Sequence, residues 1–166
     1  MNPAHAGKLC QFLGLAGIIT SLYLGTSFVF HLPRDWPKPQ RVTCVNNLKQ
    51  IGLSFREWAL GNSDHFPFNV GTNSGGTKEE CAVGGDGFDR NAYKHFQVMS
   101  NELRTPLLLT CPQDSSKKPA LHFASLQSSN VTYELRSGAE LEPTSGAATL
   151  ATCPVHGNIL RCDGSH

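Results

Sequence analysis

Residues 42–62 of the chain, VTCVNNLKQIGLSFREWALGN, carry the pattern that decides the fold. Apolar or small side chains recur there at intervals of three and four residues, and polar ones fall largely on other faces. The first set is Val42, Val45, Leu48, Gly52, Phe55 and Ala59, and the second includes Asn46, Lys49, Arg56 and Glu57. This spacing predicts an amphipathic helix that ends at Gly61-Asn62 and packs one face on another element, with Trp58 at the edge of the contact.

Four short runs later in the chain have the β-rich composition of strands. They are PLLLTCP at 106–112, NVTYEL at 130–135, ATLATCP at 148–154 and NILRCDG at 158–164, bounded by Pro, Gly, Asn or Ser. The last two enclose PVHG and are predicted to form a β-hairpin. Short connections favour an antiparallel sheet, so the predicted fold class is α+β, with the amphipathic helix packed on a small antiparallel sheet.

The segments between helix and strands are less regular. Residues 61–92 are rich in Gly, Asn, Ser and Asp and are predicted to form a long ordered loop. Residues 93–103 are predicted to form one small helix. In the loop, Asp86 and Asp89 offer oxygen ligands to calcium, but the spacing of an EF-hand is missing, so a surface turn is the favoured interpretation.

Upstream of the helix, residues 9–32 contain no Asp, Glu, Lys or Arg. A helix of that length reaches about 36 Å, against about 30 Å for the hydrocarbon core of a bilayer. We therefore predict a short tail at 1–8, a transmembrane helix at 9–32, a Pro-rich linker at 33–41 and a globular domain at 42–166. The alternative is a cleaved secretory signal, which has a shorter apolar region and small residues at its cleavage site.

Charge and cysteine content give opposite indications about orientation. Lys8 precedes the span while Arg34, Lys38 and Arg41 follow it, which by the positive-inside rule keeps the domain in the cytoplasm. Five cysteines beyond the span are typical of an oxidising compartment instead. The net charge of +1 and the pI of about 7.7 exclude a strongly basic nucleic-acid-binding protein.

Four blocks carry a resemblance to a known family. They are CVNNLKQIGLSFREWALGNSDHFPFN at 44–69, HFQVMSNELRTPLLLTCPQD at 95–114, NVTYELRSG at 130–138 and CPVHGNILRCDGSH at 153–166. In this order they resemble pilin-like "type II secretion system protein" sequences of Verrucomicrobia- and Planctomycetes-type bacteria. The chain departs from the prepilin pattern in having no Glu five residues after a cleavage point.

The resemblance implies a pilin-like fold, whose N-terminal helix lies half in the inner membrane and half on an antiparallel sheet outside the cytoplasm. It further implies a non-enzymatic structural subunit of a secretion or envelope assembly. The expected partners are the lipid bilayer and other pilin-like subunits or inner-membrane components of a secretion system. The alternative function is a monomeric, membrane-anchored extracytoplasmic binding module.

The cysteines have two competing uses, of which disulfide bonding is the first. Cys44 with Cys111 is a plausible bond between helix and sheet, and Cys153 with Cys162 a plausible bond at the end of the chain. Regular pairing of the hairpin places Cys162 across from Thr149, so the second bond requires either a β-bulge, near Asp163-Gly164, or a different turn. Sequence alone leaves the connectivity open.

The second use is a zinc site. The CPVH sequence places Cys153 and His156 three residues apart at a turn, followed by Cys162, and zinc binds such sulfur and nitrogen ligands. A fourth ligand has to come from a distance, from Cys111 or Cys81. The disulfide interpretation is the stronger from sequence, so neither metal nor cofactor is predicted. The chain has no recognisable nucleophile or metalloprotease motif, and no catalytic residue is assigned.

Overall fold

The structure is a computed structural model that describes residues 39–166. The predicted tail and membrane span, 1–8 and 9–32, lie outside the described residues. Among the residues that are described, no helix is both long enough and apolar enough to cross a membrane.

Helix α1, Pro39–Leu60, confirms the predicted amphipathic helix and its end. Residues 39–41 are helical, so the predicted linker extends too far: proline fixes its own φ near the helical value, and no helix-breaking residue follows. The buried side of α1 includes Cys44, Leu48, Ile51 and Phe55, each fully buried. Val42 was predicted on that side but is 45% exposed, because the domain covers the helix only from Cys44 onward.

The predicted helix at 93–103 is two shorter ones, α2 at Ala92–Val98 and α3 at Ser100–Leu103. Met99 separates them with φ −90° and ψ 23°, outside the usual helical values. Its side chain is fully buried, as is that of Phe96 one turn earlier. The bend at Met99 therefore lets both helices contribute to the core, and α3 packs against α1.

The sheet has three antiparallel strands in the order β1 Glu134–Leu135, β2 Thr149–Thr152 and β3 Ile159–Arg161. Strands β2 and β3 form the predicted hairpin. A Cβ atom added at Gly52 of α1 would lie 2.7 Å from Cδ1 of Leu160 in β3, so helix and sheet meet closely there. The α+β class with a helix on a small antiparallel sheet is confirmed for the described residues.

Two of the predicted strands are wrong in whole or in part. Residues 106–109 form a 3₁₀ helix, Pro106–Leu109, because Pro106 lacks an amide donor for a sheet and the Thr105 side chain accepts a hydrogen bond from the Leu107 amide. Of residues 130–135 only the last two pair in the sheet. The segment 61–92 is an irregular ordered loop, as predicted, with three 3₁₀ turns.

An aromatic cluster forms the part of the core next to the long loop. Phe55 of α1 contacts Phe66 and Phe68 of the loop, with ring centroids 5.4 and 6.2 Å away. Phe96 of α2 lies 6.1 Å from the same ring. The cluster explains how a segment rich in Gly and Asn stays ordered, because two of its side chains are anchored in the core.

Candidate metal centre

Two Cys-Pro sequences fold into tight turns. In the first, the Asp114 amide donates to the Cys111 carbonyl oxygen at 3.0 Å. In the second, which connects β2 to β3, the Gly157 amide donates to the Cys153 carbonyl oxygen at 2.8 Å. Gly157 has φ +69°, a conformation that glycine adopts without strain. This turn brings the His156 ring back to its own Cys153, with Nδ1 3.8 Å from Sγ.

The two turns and helix α1 bring together four side chains of types that can bind a metal ion. Nδ1 of His156 lies 3.3 Å from Sγ of Cys111. Cys44, in the second turn of the described part of α1, completes the group, and one ligand atom from each side chain lies within 4.8 Å of every other. The three cysteines are at most 1% exposed, whereas His156 is half-buried. We call Cys44, Cys111, Cys153 and His156 the thiol–imidazole cluster.

Hydrogen-bond donors surround this cluster. Nδ2 of Asn158 donates to Sγ of Cys44 at 3.4 Å. Burial raises the pKa of the Cys153 thiol to about 12, although the backbone amides of His156 and Val155 act to lower it. Burial likewise raises the pKa of Cys111, and the Gln113 amide has the opposite effect. The Asn158 side chain is therefore directed toward the sulfur of Cys44, and backbone amides favour the charged form of Cys111 and Cys153.

The outer nitrogen of His156 has a partner of its own. Nε2 lies 2.7 Å from Oε1 of Gln113, so Nε2 donates its hydrogen and Nδ1 presents its lone pair to the sulfurs. The hydroxyl of Tyr133 is buried and makes no hydrogen bond within the described part of the chain. Burial raises the pKa of Tyr133, and Asn47, Cys44 and Cys111 are the polar groups that act on it. The Tyr133 hydroxyl is therefore a buried donor without a hydrogen-bond partner among the described residues.

The structure separates Cys162 from the cluster, which corrects two predictions. Cys153 lies across from Asn158, next to the turn, whereas the Cys162 amide donates to Ala148 at the other end of the hairpin. Four residues of strand correspond to about 13 Å, so a Cys153–Cys162 disulfide and a metal site with Cys162 are both excluded by the hairpin. The hairpin does contain a β-bulge, but it lies at Leu150 in β2, where the register shifts between Thr149 and Ala151, and not near Asp163-Gly164.

The predicted Cys44–Cys111 pair does come together, as part of the cluster. The five described cysteines are free thiols in the structure. Sequence spacing indicated Cys153 and His156, but gave no signal that both Cys44 and Cys111 join them. The repeated Cys-Pro dipeptide at 111–112 and 153–154 is the one feature that hints at a shared role.

A second polar cluster lies in the core around Asp89, which was predicted in a surface turn and is instead 5% exposed. Its Oδ2 accepts from Nε2 of His95 at 3.0 Å and from the Ser137 hydroxyl. Its Oδ1 accepts from the amides of Ala82 and Asn91 at 3.0 and 2.8 Å. Burial opposes the charge of Asp89, but these hydrogen bonds outweigh it and hold the pKa of that carboxyl well below its usual value.

Thr77 extends this network, because its Oγ1 lies 2.6 Å from Nδ1 of His95. Hydroxyl, imidazole and carboxylate follow one another as in a hydrolase triad, but Thr77 and His95 are 1% and 0% exposed. A substrate cannot reach the hydroxyl of Thr77 in this arrangement. Cys81 also lies close to Asp89 and His95, whose polar atoms already bond to protein groups. The network therefore joins the loop, α2 and residue 137 within the core.

Comparison with protein-family models, curated proteins and solved structures gives no match to this chain.

Proposed function

We propose that the chain is a non-enzymatic, pilin-like structural subunit of a bacterial type II secretion or envelope assembly. In this proposal residues 9–32 hold it in the inner membrane and residues 42–166 lie outside the cytoplasm. The observation that carries the proposal is α1, a helix of 22 residues packed on an antiparallel sheet and placed soon after the predicted span. The burial of Thr77, His95 and Asp89 supports a non-enzymatic role.

The outer side of α1 supports packing against other subunits. Val42, Leu53 and Leu60 are 45%, 65% and 80% exposed. They are separated by eleven and seven residues, about three and two helical turns, so they lie along one line of the helix. Apolar side chains aligned on an exposed helix face suit a contact with the helix of a neighbouring subunit.

Co-purification with a matched pair of variants tests the proposal. The tagged full chain is cross-linked in its host membrane and extracted with detergent, and the captured proteins are identified by mass spectrometry. We expect pilin-like subunits or secretion-system membrane proteins with the wild type, and their loss with Leu53→Asp. The control is Leu121→Asp, which changes a leucine that is 78% exposed and lies outside α1.

Capture of the same partners by wild type and Leu53→Asp would show that the exposed line of α1 is not the contact. A wild-type chain that is monomeric in the membrane extract would refute the structural-subunit proposal itself.

A surface cavity of about 420 Å³ favours a second candidate function, a membrane-anchored binding module. Its lining includes the charged or polar side chains of Arg90, Tyr93, Asp114 and Lys117. Such a mixture suits a small polar ligand. Native mass spectrometry of the same extract separates the two functions, since a monomer carrying a small molecule supports the binding module.

A further inference from the structure

We propose that the thiol–imidazole cluster is a structural zinc site, with the Sγ atoms of Cys44, Cys111 and Cys153 and Nδ1 of His156 as its four ligands. The proposal does not depend on the secretion role, because it rests on the geometry of these side chains alone. Three sulfurs and one imidazole nitrogen form a ligand set that tetrahedral zinc takes in structural sites.

The distances agree with a tetrahedral ion. With zinc–sulfur bonds of about 2.3 Å and zinc–nitrogen bonds of about 2.05 Å, tetrahedral ligands lie about 3.8 Å apart for two sulfurs and about 3.6 Å for sulfur and nitrogen. Nδ1 of His156 lies 3.3 Å from Sγ of Cys111 and 3.8 Å from Sγ of Cys153, on either side of that value. All four ligand atoms lie within 4.8 Å of one another, so zinc fits with small side-chain movements.

The imidazole is oriented for metal binding. Metal-bound histidines usually donate their other ring N–H to a polar partner, which fixes the tautomer. Oε1 of Gln113 fills this role at 2.7 Å from Nε2 of His156. A disulfide between two of the three cysteines would use neither the third thiol nor this arrangement of His156. The sulfur-rich tetrahedral set also favours zinc over calcium or magnesium, which bind oxygen.

Zinc binding at this site releases protons and leaves a small net charge. Each cysteine thiol releases its proton, three in all, and the neutral imidazole binds through its lone pair. Three thiolates and one Zn²⁺ leave a net charge of −1 on the site, spread over the sulfurs. Nδ2 of Asn158, which lies 3.4 Å from Sγ of Cys44, offers an N–H group to that charge.

The site joins three parts of the chain that are far apart in sequence. Cys44 belongs to α1, Cys111 follows the 3₁₀ helix, and Cys153 with His156 closes the β2–β3 hairpin. Four protein ligands complete the coordination of zinc and leave no position for a substrate, so the ion holds the fold and does not catalyse a reaction. It thereby does for α1 and the hairpin what disulfides were predicted to do.

Metal content of the full chain in detergent tests the site. The protein is purified without reductant or chelator, and bound zinc is measured by elemental mass spectrometry together with the intact mass under native conditions. We expect one zinc per chain with all thiols reduced. Cys44→Ser, Cys111→Ser and His156→Ala should each lose stoichiometric zinc, whereas Cys162→Ser, a buried cysteine outside the cluster, should retain it.

Two further measurements cover variants that fail to fold. Cobalt(II) added to the metal-free wild type should give the visible spectrum of a tetrahedral thiolate site. Gln113→Ala keeps all four ligands but removes the partner of His156, so we expect zinc affinity to fall about 10–100-fold, measured by competition with a chromogenic chelator. A wild type that binds neither ion, or that contains a Cys44–Cys111 disulfide, would overturn the proposal, as would equal zinc loss in Cys162→Ser.

Discussion

Replacing Phe55 with alanine should destabilise the domain more than other changes on α1. Phe55 is fully buried, and its ring lies 5.4 to 6.2 Å from the rings of Phe66, Phe68 and Phe96. Truncating a buried phenylalanine costs about 3–5 kcal/mol, because transfer energy is lost and a cavity remains. For a domain of this size, 1 kcal/mol shifts the melting temperature by about 3–5 °C, so we expect a decrease of roughly 10–20 °C.

The assay is thermal unfolding followed by circular dichroism on residues 39–166, which belong to one compact unit. The matched control is Leu53→Ala on the same helix, where the side chain is 65% exposed and the change should stay within about 0.5 kcal/mol. If the two variants melt within a few degrees of each other, the aromatic cluster does not form the core and the orientation of α1 is wrong.

Two further changes test the helix–sheet contact and the buried network. Gly52→Ala places a Cβ atom 2.7 Å from Cδ1 of the buried Leu160. An overpacking cost of about 1–3 kcal/mol against a gain of about 1 kcal/mol in helix propensity gives an expected net loss of about 0–2 kcal/mol. Urea unfolding of this variant and of the exposed Gln50→Ala measures the loss, and a Gly52→Ala variant more stable than the wild type would contradict the close packing. The pKa of Asp89 is lowered in the folded state, so the stability that its charge contributes is present above pH about 4, where the unfolded carboxyl ionises, and is lost as the pH falls toward the folded pKa. Asp89→Asn should therefore cost about 2–3 kcal/mol at pH 7 and reduce the slope of the unfolding free energy against pH between pH 5 and pH 3. Asp86→Asn, which changes an exposed ion pair, should leave that slope close to that of the wild type. An unchanged slope in Asp89→Asn would refute the assignment of a charged Asp89 in the core.

The sequence by itself predicted the helix well, because helical periodicity is a local property. Leu48, Gly52, Phe55 and Ala59 were expected on the buried face, and all four are buried. Strand composition was a weaker guide. The run at 106–112 is rich in leucine, yet Pro106 and the cap from Thr105 make residues 106–109 a 3₁₀ helix. No local pattern shows which of several segments with strand-like composition will pair in a sheet.

The core network around Asp89 shows what only packing decided. Asp89 lies among Gly and Asp residues typical of a surface turn, and its partners His95 and Ser137 follow 6 and 48 residues later. Burial of this carboxylate depends on donors from separate segments arriving together. Sequence spacing does not encode that meeting, because it results from the folding of the loop onto α2.

For the thiol–imidazole cluster, too, the sequence determined one contact and the tertiary structure decided the others. The sequence determined that Cys153 and His156 lie close together, because a proline turn of three residues and Gly157 at positive φ return the ring to the sulfur. Only the tertiary structure decided that Cys44 and Cys111 join them. Cys162 lies four residues beyond Asn158 and therefore at the end of the hairpin away from the turn, and the bulge at Leu150 shifts it by one further residue, to Ala148. Turn geometry acts over a few residues, whereas contacts between residues 44, 111 and 153 exist only after helix, loop and hairpin have packed on one core.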